Sequence, residues 1–366
     1  MSNVKSKAYE VLAGDRICAR FIDGKLSIID EQYAPLFLDD FKEWVSRRAV
    51  SDQRGPVARN LRKTSDIPVN ADAFETSLKA HCISITDNYW VREAGSDLTY
   101  ADVDCDRYDG RLAQLALGIE SDPSGFMHKG VNPELTNIGN SNKAWVIDDK
   151  GKRWLYKRQP LRECYNEIVA SKVAMKMGIS TVVYELVERF DDDPLSGFWG
   201  TVRSEDFTQG RNINLEHADF ILRHYNVDEE NISKNAEIFD SYGCCKEYLD
   251  IKYLDILIGN SDRHSRNYGV LRSRLDGRII GFAPNYDNNY AFRTDLSMTG
   301  FAKTAAERGY TPPVLTEKDI DDIVAETKSF DGYRAIDVLN SVRWKQKSVS
   351  EEIERASLLL EEDLTI

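Results

Sequence analysis

No stretch of the 366 residues stays apolar for the roughly 20 positions that a bilayer crossing needs, so a transmembrane chain is excluded. The opening MSNVKSKAYEVLAGDR lacks the apolar core of a secretion signal, and a cytoplasmic location is expected. Cysteine is scattered: Cys18, Cys82, Cys105, Cys164, Cys244 and Cys245 contain no Cys-x-x-Cys pair. That argues against a structural zinc and, without a signal, for reduced thiols. The adjacent Cys244 and Cys245 read as packing residues. Positive charge is also short, with 48 Lys and Arg against 61 Asp and Glu, a net charge of −13. Nucleic-acid binding by bulk charge is therefore not expected. There is no internal repeat and no low-complexity tract. What remains is a 42% hydrophobic, 30% charged chain, long enough for two lobes with a large core.

Along the chain, residues 11–29 predict a hairpin turning at Asp23-Gly24. Residues 39–63 read as helical, broken at Gly55-Pro56, and are locally basic (Arg47, Arg48, Arg54, Arg59, Arg62, Lys63). Such a run is a solvated helix face or a contact for an acidic partner. A short helix is expected at 72–81, strands at 82–92, and irregular connection at 95–130. Strands follow at 144–147 and 154–157 about the turn Asp148-Asp149-Lys150-Gly151. Residues 162–177 have helical apolar spacing, with Gly178 as a C-cap. Further strands are read at 181–187 and 198–202, around a turn at 191–197. Beyond residue 215 the chain reads mainly helical, with one hairpin at 268–282 and a charged amphipathic helix at 348–364.

The chemistry concentrates in Ile258-Gly-Asn-Ser-Asp-Arg-His-Ser-Arg-Asn-Tyr-Gly-Val-Leu271. An apolar helix delivers a polar loop in which Asp262 and Asn267 stand five positions apart. A hairpin turning at Asp276-Gly277 then returns the chain to Asn285-Tyr286-Asp287, near Asn267. Phosphoryl transfer uses these parts: one carboxylate for the proton of the attacking hydroxyl, and a carboxamide with a second carboxylate for Mg²⁺ on the phosphates. Protein kinases keep the same Asp-x-x-x-x-Asn spacing and a later Asp. Three hard oxygen ligands suit Mg²⁺ or Mn²⁺ better than zinc. His264 supports this loop or contacts a phosphate, and Arg263 and Arg266 are placed to attract phosphate.

Upstream, Thr136-Asn-Ile-Gly-Asn-Ser-Asn-Lys143 is a polar loop before a strand, able to cover phosphates with its N–H groups through Gly139, Asn140 and Ser141. Lys157 ends the next strand, as expected for a lysine on the α- and β-phosphates. Its carboxylate partner is Glu163 or Glu167, one helical turn apart; Glu167 is preferred because it borders the apolar face of Ile168 and Val169.

These residues resemble the HipA-like kinases of bacterial toxin–antitoxin systems and their stand-alone relatives. The resemblance rests on Ile258-Gly-Asn-Ser-Asp-Arg-His-Ser-Arg-Asn267, on Pro284-Asn-Tyr-Asp287, on Tyr156-Lys157 with Pro160, and on Asn166-Glu167 opening a helix that ends Lys176-Met-Gly-Ile179. It spans about residues 136–290. It implies an α+β, bilobal protein-kinase-like fold that transfers the γ-phosphoryl group of ATP, with Mg²⁺, to Ser or Thr of a protein. By position it implies Asp262 as catalytic base, Asn267 and Asp287 as metal ligands, and Lys157 as the ATP lysine. It further implies self-phosphorylation of a phosphate-loop hydroxyl at Thr136 or Ser141. The adenine hinge is expected after the strand 198–202, at Ser204-Glu-Asp-Phe207 and hence at Glu205 and Phe207, with Glu188-Arg-Phe190 ranked second. The loop carries Gly-Asn-Ser where the family usually has Gly-Ala-Gln.

The expected organisation is an N-terminal subdomain at 1–130, a β-rich kinase N-lobe at 131–207 and a helical C-lobe at 208–366. No helix-turn-helix is evident in 1–130, so a fused DNA-binding antitoxin is not expected. An antitoxin or regulatory partner stays open. The competing functions are a nucleotide-binding pseudokinase and a small-molecule kinase on the same fold.

Overall fold

The computed structural model describes residues 8–103, 109–187, 198–208 and 212–363. The expected turn at 191–197, the second-ranked hinge Glu188-Arg-Phe190 and Cys105 lie outside the described residues. The chain divides into two units. The first holds Met1–Gln159, Val187–Glu216 and Arg272–Arg278; the second holds Pro160–Leu186, His217–Leu271 and Ile279–Ile366. The expected segments 1–130 and 131–207 thus fall mainly in the first unit, except that Pro160–Leu186 is counted with the second.

The first unit opens with a four-stranded antiparallel sheet, ordered Lys25–Ile28, Arg16–Ile22, Tyr9–Ala13, Tyr89–Glu93. Asp23 and Gly24 both have positive φ, the turn geometry that matches the right-handed twist of the flanking strands. Leu12 lies opposite Trp90 in register, and both are buried with Ile83, Ile85 and Val103. Helices follow at Phe41–Arg47, capped by Asp40, and at Ala73–Lys79, capped by Asp72. Gly55-Pro56 does not only break the helical stretch; it starts the helix Pro56–Lys63. Proline suits a first helical position because the N–H it lacks has no partner there. Residues 95–130 are less irregular than expected. They contain Tyr100–Val103 and Gly110–Ala116, whose Leu112, Ala113 and Ala116 pack with Val57, Ala58, Leu61 and Leu135. These helices are too short for their periodicity to stand out from a polar stretch.

The basic run at 47–63 divides: Arg59 and Lys63 are exposed, as on a solvated face, and the others turn inward or pair. Arg48 pairs with Asp87 at 2.8 Å, Arg62 donates to Thr76 at 3.1 Å, and Arg54 is buried. In the same unit the strands Asn142–Ile147, Arg153–Pro160 and Trp199–Glu205 are neighbours in that order. The pairing of the first two runs from Ile147 opposite Arg153 to Asn142 opposite Arg158, so Lys143 lies directly opposite Lys157. A strand at Ile213–His217 was not expected. Its Ile213-Asn-Leu-Glu-His217 does alternate apolar and polar, but over only five residues, and both faces are buried, Asn214 and Glu216 included.

The second unit is mainly helical: Leu161–Lys176, Ala218–His224, Ile232–Asp240, Cys245–Ile258, Thr299–Glu307, Glu317–Glu326 and Ala335–Asp363. Gly178 closes the first of these at φ 72°, and the N–H of Ile179 returns to the Ala174 carbonyl at 2.9 Å. The strand at Tyr184–Leu186 is shorter than expected. After its exposed first turn, the helix Cys245–Ile258 is buried on nearly every side from Tyr248 on, as a central helix must be. Beside it the rings of Phe239, Tyr248, Tyr268 and Phe282 pack together. Cys244 and Cys245 are both free thiols. No described helix is long and apolar enough to cross a membrane.

Candidate active site

The helix Cys245–Ile258 stops because Gly259 takes a left-handed conformation, φ 58° and ψ 46°. A side chain there would overlap the carbonyl oxygen of Thr294, so only glycine fits. The N–H of Asn260 returns to the Asp255 carbonyl at 2.9 Å, and the chain leaves the helix as the tight loop 260–267. In it the N–H of His264 donates to the Asp262 carbonyl at 3.0 Å, and that of Asn267 to the His264 carbonyl at 2.8 Å. The Asn267 side-chain nitrogen donates to the Asp262 carbonyl at 3.1 Å. With its nitrogen so used, buried Asn267 keeps its amide oxygen as the available donor to a cation. His264 accepts the N–H of Arg266 on Nδ1 at 3.3 Å, which fits a loop-supporting part.

The hairpin Gly269–Ser273 and Ile279–Phe282 leads toward Asp287, the second residue expected to hold a cation. Asn285 is anchored to 180–182: its N–H donates to the Ser180 carbonyl at 2.8 Å and its carbonyl accepts the Val182 N–H at 3.0 Å. Asp287 then has φ 62°, a strained value for a non-glycine residue. Two hydrogen bonds hold that conformation. Its N–H donates to the Tyr184 hydroxyl at 3.1 Å, and the N–H of Asn288 donates to the Glu167 carboxylate at 2.7 Å. Glu163 accepts from Arg293 at 2.6 Å. Asn166 adds two bonds from its side-chain nitrogen, to the carbonyls of Asn289 at 3.0 Å and Ala291 at 2.9 Å.

Arg263 joins the two segments. Its guanidinium reaches the Asn267 carbonyl at 3.0 Å, the Tyr286 carbonyl at 2.5 Å, the Asn285 side chain at 2.7 Å and the Asn288 side chain at 2.6 Å. It is buried and paired with buried Asp255 at 3.1 Å. This corrects the expectation that Arg263 attracts phosphate, because every donor position faces inward. Nothing in the loop's spelling separates a clamp from a phosphate arginine; the buried acid one turn before the helix end, Asp255, was the available signal.

Asp262 is exposed at the surface, yet partial desolvation raises it above the ordinary carboxylate value against the pull of His264, and the neighbouring charge of Asp287 raises it further. Asp262 therefore feels the charge of Asp287. Among the described residues no three His, Cys, Asp or Glu side chains converge on a metal position. The donor set here is instead two carboxylates and a carboxamide, hard oxygens that fit Mg²⁺ or Mn²⁺.

The remaining expected residues lie in the first unit. Thr136 ends a turn of 3₁₀ helix, Pro133–Thr136, buried, with its hydroxyl donated to the carbonyls of Ile83 and Pro133. Ser141 is half-buried and Asn140 exposed. Gly139 has φ 99°, and a side chain there would collide with Lys143 Nζ. Lys143, opposite Lys157 and on the same face of the sheet, is thus a second cation at this loop. The register about Asp148-Asp149-Lys150-Gly151 was enough to find it. Both lysines are buried. Glu205 is exposed and paired with Lys152 at 2.7 Å; the N–H of Asp206 donates to the Arg153 carbonyl at 3.0 Å.

A protein-family model described as "HipA-like C-terminal domain" matches residues 135–331, more than half of the chain. This chain belongs to the HipA-like family. The match contains Gly139, Lys157, Glu167, Asp262, Asn267 and Asp287, and leaves the first 134 residues of this HipA-like protein outside. HipA of Shewanella oneidensis MR-1, solved as a toxin–antitoxin system with HipB and operator DNA, has a similar fold. Its TM-score is 0.51 at 13% identity, over 95% of this chain and 97% of that one. The Helicobacter pylori proinflammatory kinase CtkA is similar with a TM-score of 0.43 and 15% identity, over 60% of this chain and 93% of its own. No curated protein matches the sequence. The fold is the α+β kinase-like fold of HipA, and the family gives the protein a kinase-type function.

Proposed function

We propose that this HipA-like protein transfers the γ-phosphoryl group of ATP to a serine or threonine hydroxyl of a protein, in the presence of Mg²⁺ or Mn²⁺. The observation that carries the reading is Arg263, whose guanidinium bonds both the Asn267 carbonyl and the Tyr286 carbonyl and so ties the segment that carries Asp262 and Asn267 to the segment that carries Asp287. Asp262 orients the acceptor hydroxyl and takes its proton; its raised proton affinity suits a base. Asn267 and Asp287 would hold the cation, which neutralises charge on the phosphates when bound. Glu167 and Tyr184 keep Asp287 in its left-handed conformation. Lys157 serves the α- and β-phosphates, Gly139, Asn140 and Ser141 cover them, and the main chain of Glu205 and Phe207 meets the adenine. His264 supports the loop. Self-phosphorylation at Ser141 or Thr136 belongs to the same proposal, and Thr136 must first leave its two carbonyl partners.

The HipA neighbour was solved with HipB and its operator DNA, which supports a protein partner of antitoxin type for this chain. Its own net charge of −13 gives no reason to add direct DNA contact. The protein substrate is tested by incubating the full chain with ATP, Mg²⁺ and a proteome extract, then mapping phosphosites by mass spectrometry. Phosphoserine or phosphothreonine that disappears with Asp262→Ala supports the reading. Phosphate appearing only on small molecules would replace it with the small-molecule alternative.

A further inference from the structure

We propose that Arg54, from the N-terminal segment outside the family match, is a positioning residue of the nucleotide site: it fixes the backbone of residues 137–143 so that their amides face the phosphates of a nucleoside triphosphate. The inference rests on the kinase reading above.

Arg54 ends a short 3₁₀ turn, Asp52–Arg54, that precedes Gly55-Pro56. Its guanidinium donates Nη2–H to the Asn137 carbonyl at 2.6 Å, Nε–H to the Gly139 carbonyl at 3.1 Å and Nη1–H to the Lys143 carbonyl at 3.4 Å. Ser51 adds a fourth tie, donating its hydroxyl to the Asn140 side-chain oxygen at 2.7 Å. One turn of the N-terminal segment therefore grips the loop at both ends and in the middle.

The consequence follows from peptide geometry. In a trans peptide the C=O and the next N–H point in opposite directions. Carbonyls of Asn137 and Gly139 turned to Arg54 direct the N–H groups of Ile138 and Asn140 away from it. Among the described residues, the N–H groups of Ile138, Gly139, Asn140 and Ser141 donate to no acceptor. Successive amides without acceptors, beside Lys143 and Lys157 on one face, form an anion-binding concavity.

A purely structural part explains Arg54 less well. It is 4% exposed, yet no carboxylate among the described residues lies within ion-pair distance of it; its partners are carbonyl oxygens. Burial lowers its pKa to about 10, with Glu134 opposing. Glu134 completes the frame, accepting the Asn137 side-chain N–H at 2.8 Å and the Trp145 N–H at 2.7 Å. A buried guanidinium spent on loop carbonyls is a device for shape.

The test titrates ATP and adenosine into the full chain by calorimetry, with Arg54→Met, Arg54→Lys and Ser51→Ala, and follows hydrogen exchange at residues 138–141. Arg54→Met is expected to weaken ATP about tenfold or more while leaving adenosine within about twofold, with faster exchange in the loop. Arg54→Lys should recover part of the ATP affinity, and in turnover should raise KM for ATP more than it lowers kcat. Should Arg54→Met not fold, Arg54→Lys and Ser51→Ala decide: both must weaken ATP and spare adenosine. Unchanged ATP affinity in the folded variants overturns the inference alone. An unaltered chain that binds no ATP overturns the kinase reading, and this inference with it.

Discussion

The Glu167 carboxylate accepts the backbone N–H of Asn288 at 2.7 Å. One residue earlier, Asp287 holds φ 62°. Glu167 is thus a restraint on the conformation of Asp287, the proposed cation ligand, through a charge-assisted hydrogen bond. Glu167→Ala should lower phosphoryl transfer by about 10–100-fold, the worth of such a bond. Glu167→Gln retains an acceptor oxygen and should keep most of that loss from appearing. Steady-state rates of the two variants check this; equal losses would assign Glu167 to its charge instead.

Arg263 and Asp255 are both buried, 3.1 Å apart. Breaking such a pair strands a charge in the interior. Arg263→Met is expected to destabilise the protein by about 3–5 kcal/mol. Adding Asp255→Leu should recover part of that loss, because the stranded carboxylate is gone. Urea denaturation of the two variants measures it, and no recovery in the double variant would show that the guanidinium's bonds to Asn285, Asn288 and the carbonyls dominate.

Gly259 ends the central helix where a side chain would meet the Thr294 carbonyl. Gly259→Ala combines left-handed strain with overlap and should cost about 2–4 kcal/mol. A melting temperature within a degree of the unaltered protein would contradict the packing described for this turn.

Burial raises Glu134 to about 7, against the pull of Asn137, Trp145 and Arg54. A carboxyl whose folded pKa lies above its unfolded value contributes stability that is complete below the unfolded pKa, about 4.5, and is lost as pH rises through about 7. Stability should therefore decline by roughly 1–3 kcal/mol between pH 4.5 and 7 relative to Glu134→Gln, which does not titrate. Parallel pH profiles of the two proteins would refute the assignment.

The legible part of the molecule was the part whose spacing encodes chemistry. Asp262, Asn267 and the Asp276-Gly277 turn are close in sequence, so the loop and its hairpin could be laid out from local rules. Lys143 was within reach, since the turn at 148–151 sets a register that places it opposite Lys157. Arg54 and Arg263 were not. Each acts on carbonyls far along the chain, 83 residues away for Asn137 and 23 for Tyr286, and no local pattern announces such a contact. The short helices Tyr100–Val103 and Gly110–Ala116 were missed because one or two turns give too little periodicity. The strand Ile213–His217 alternates apolar and polar residues, but five positions are too few to stand out beside a longer helical pattern.

The most direct measurement uses ATP labelled on its γ-phosphate. The unaltered chain, Asp262→Ala and Asp287→Ala are incubated side by side with Mg²⁺, and label on protein is counted. Label should accumulate on protein with the unaltered chain, and each substitution should reduce it at least about 100-fold. Label transferred equally by all three proteins would contradict the account.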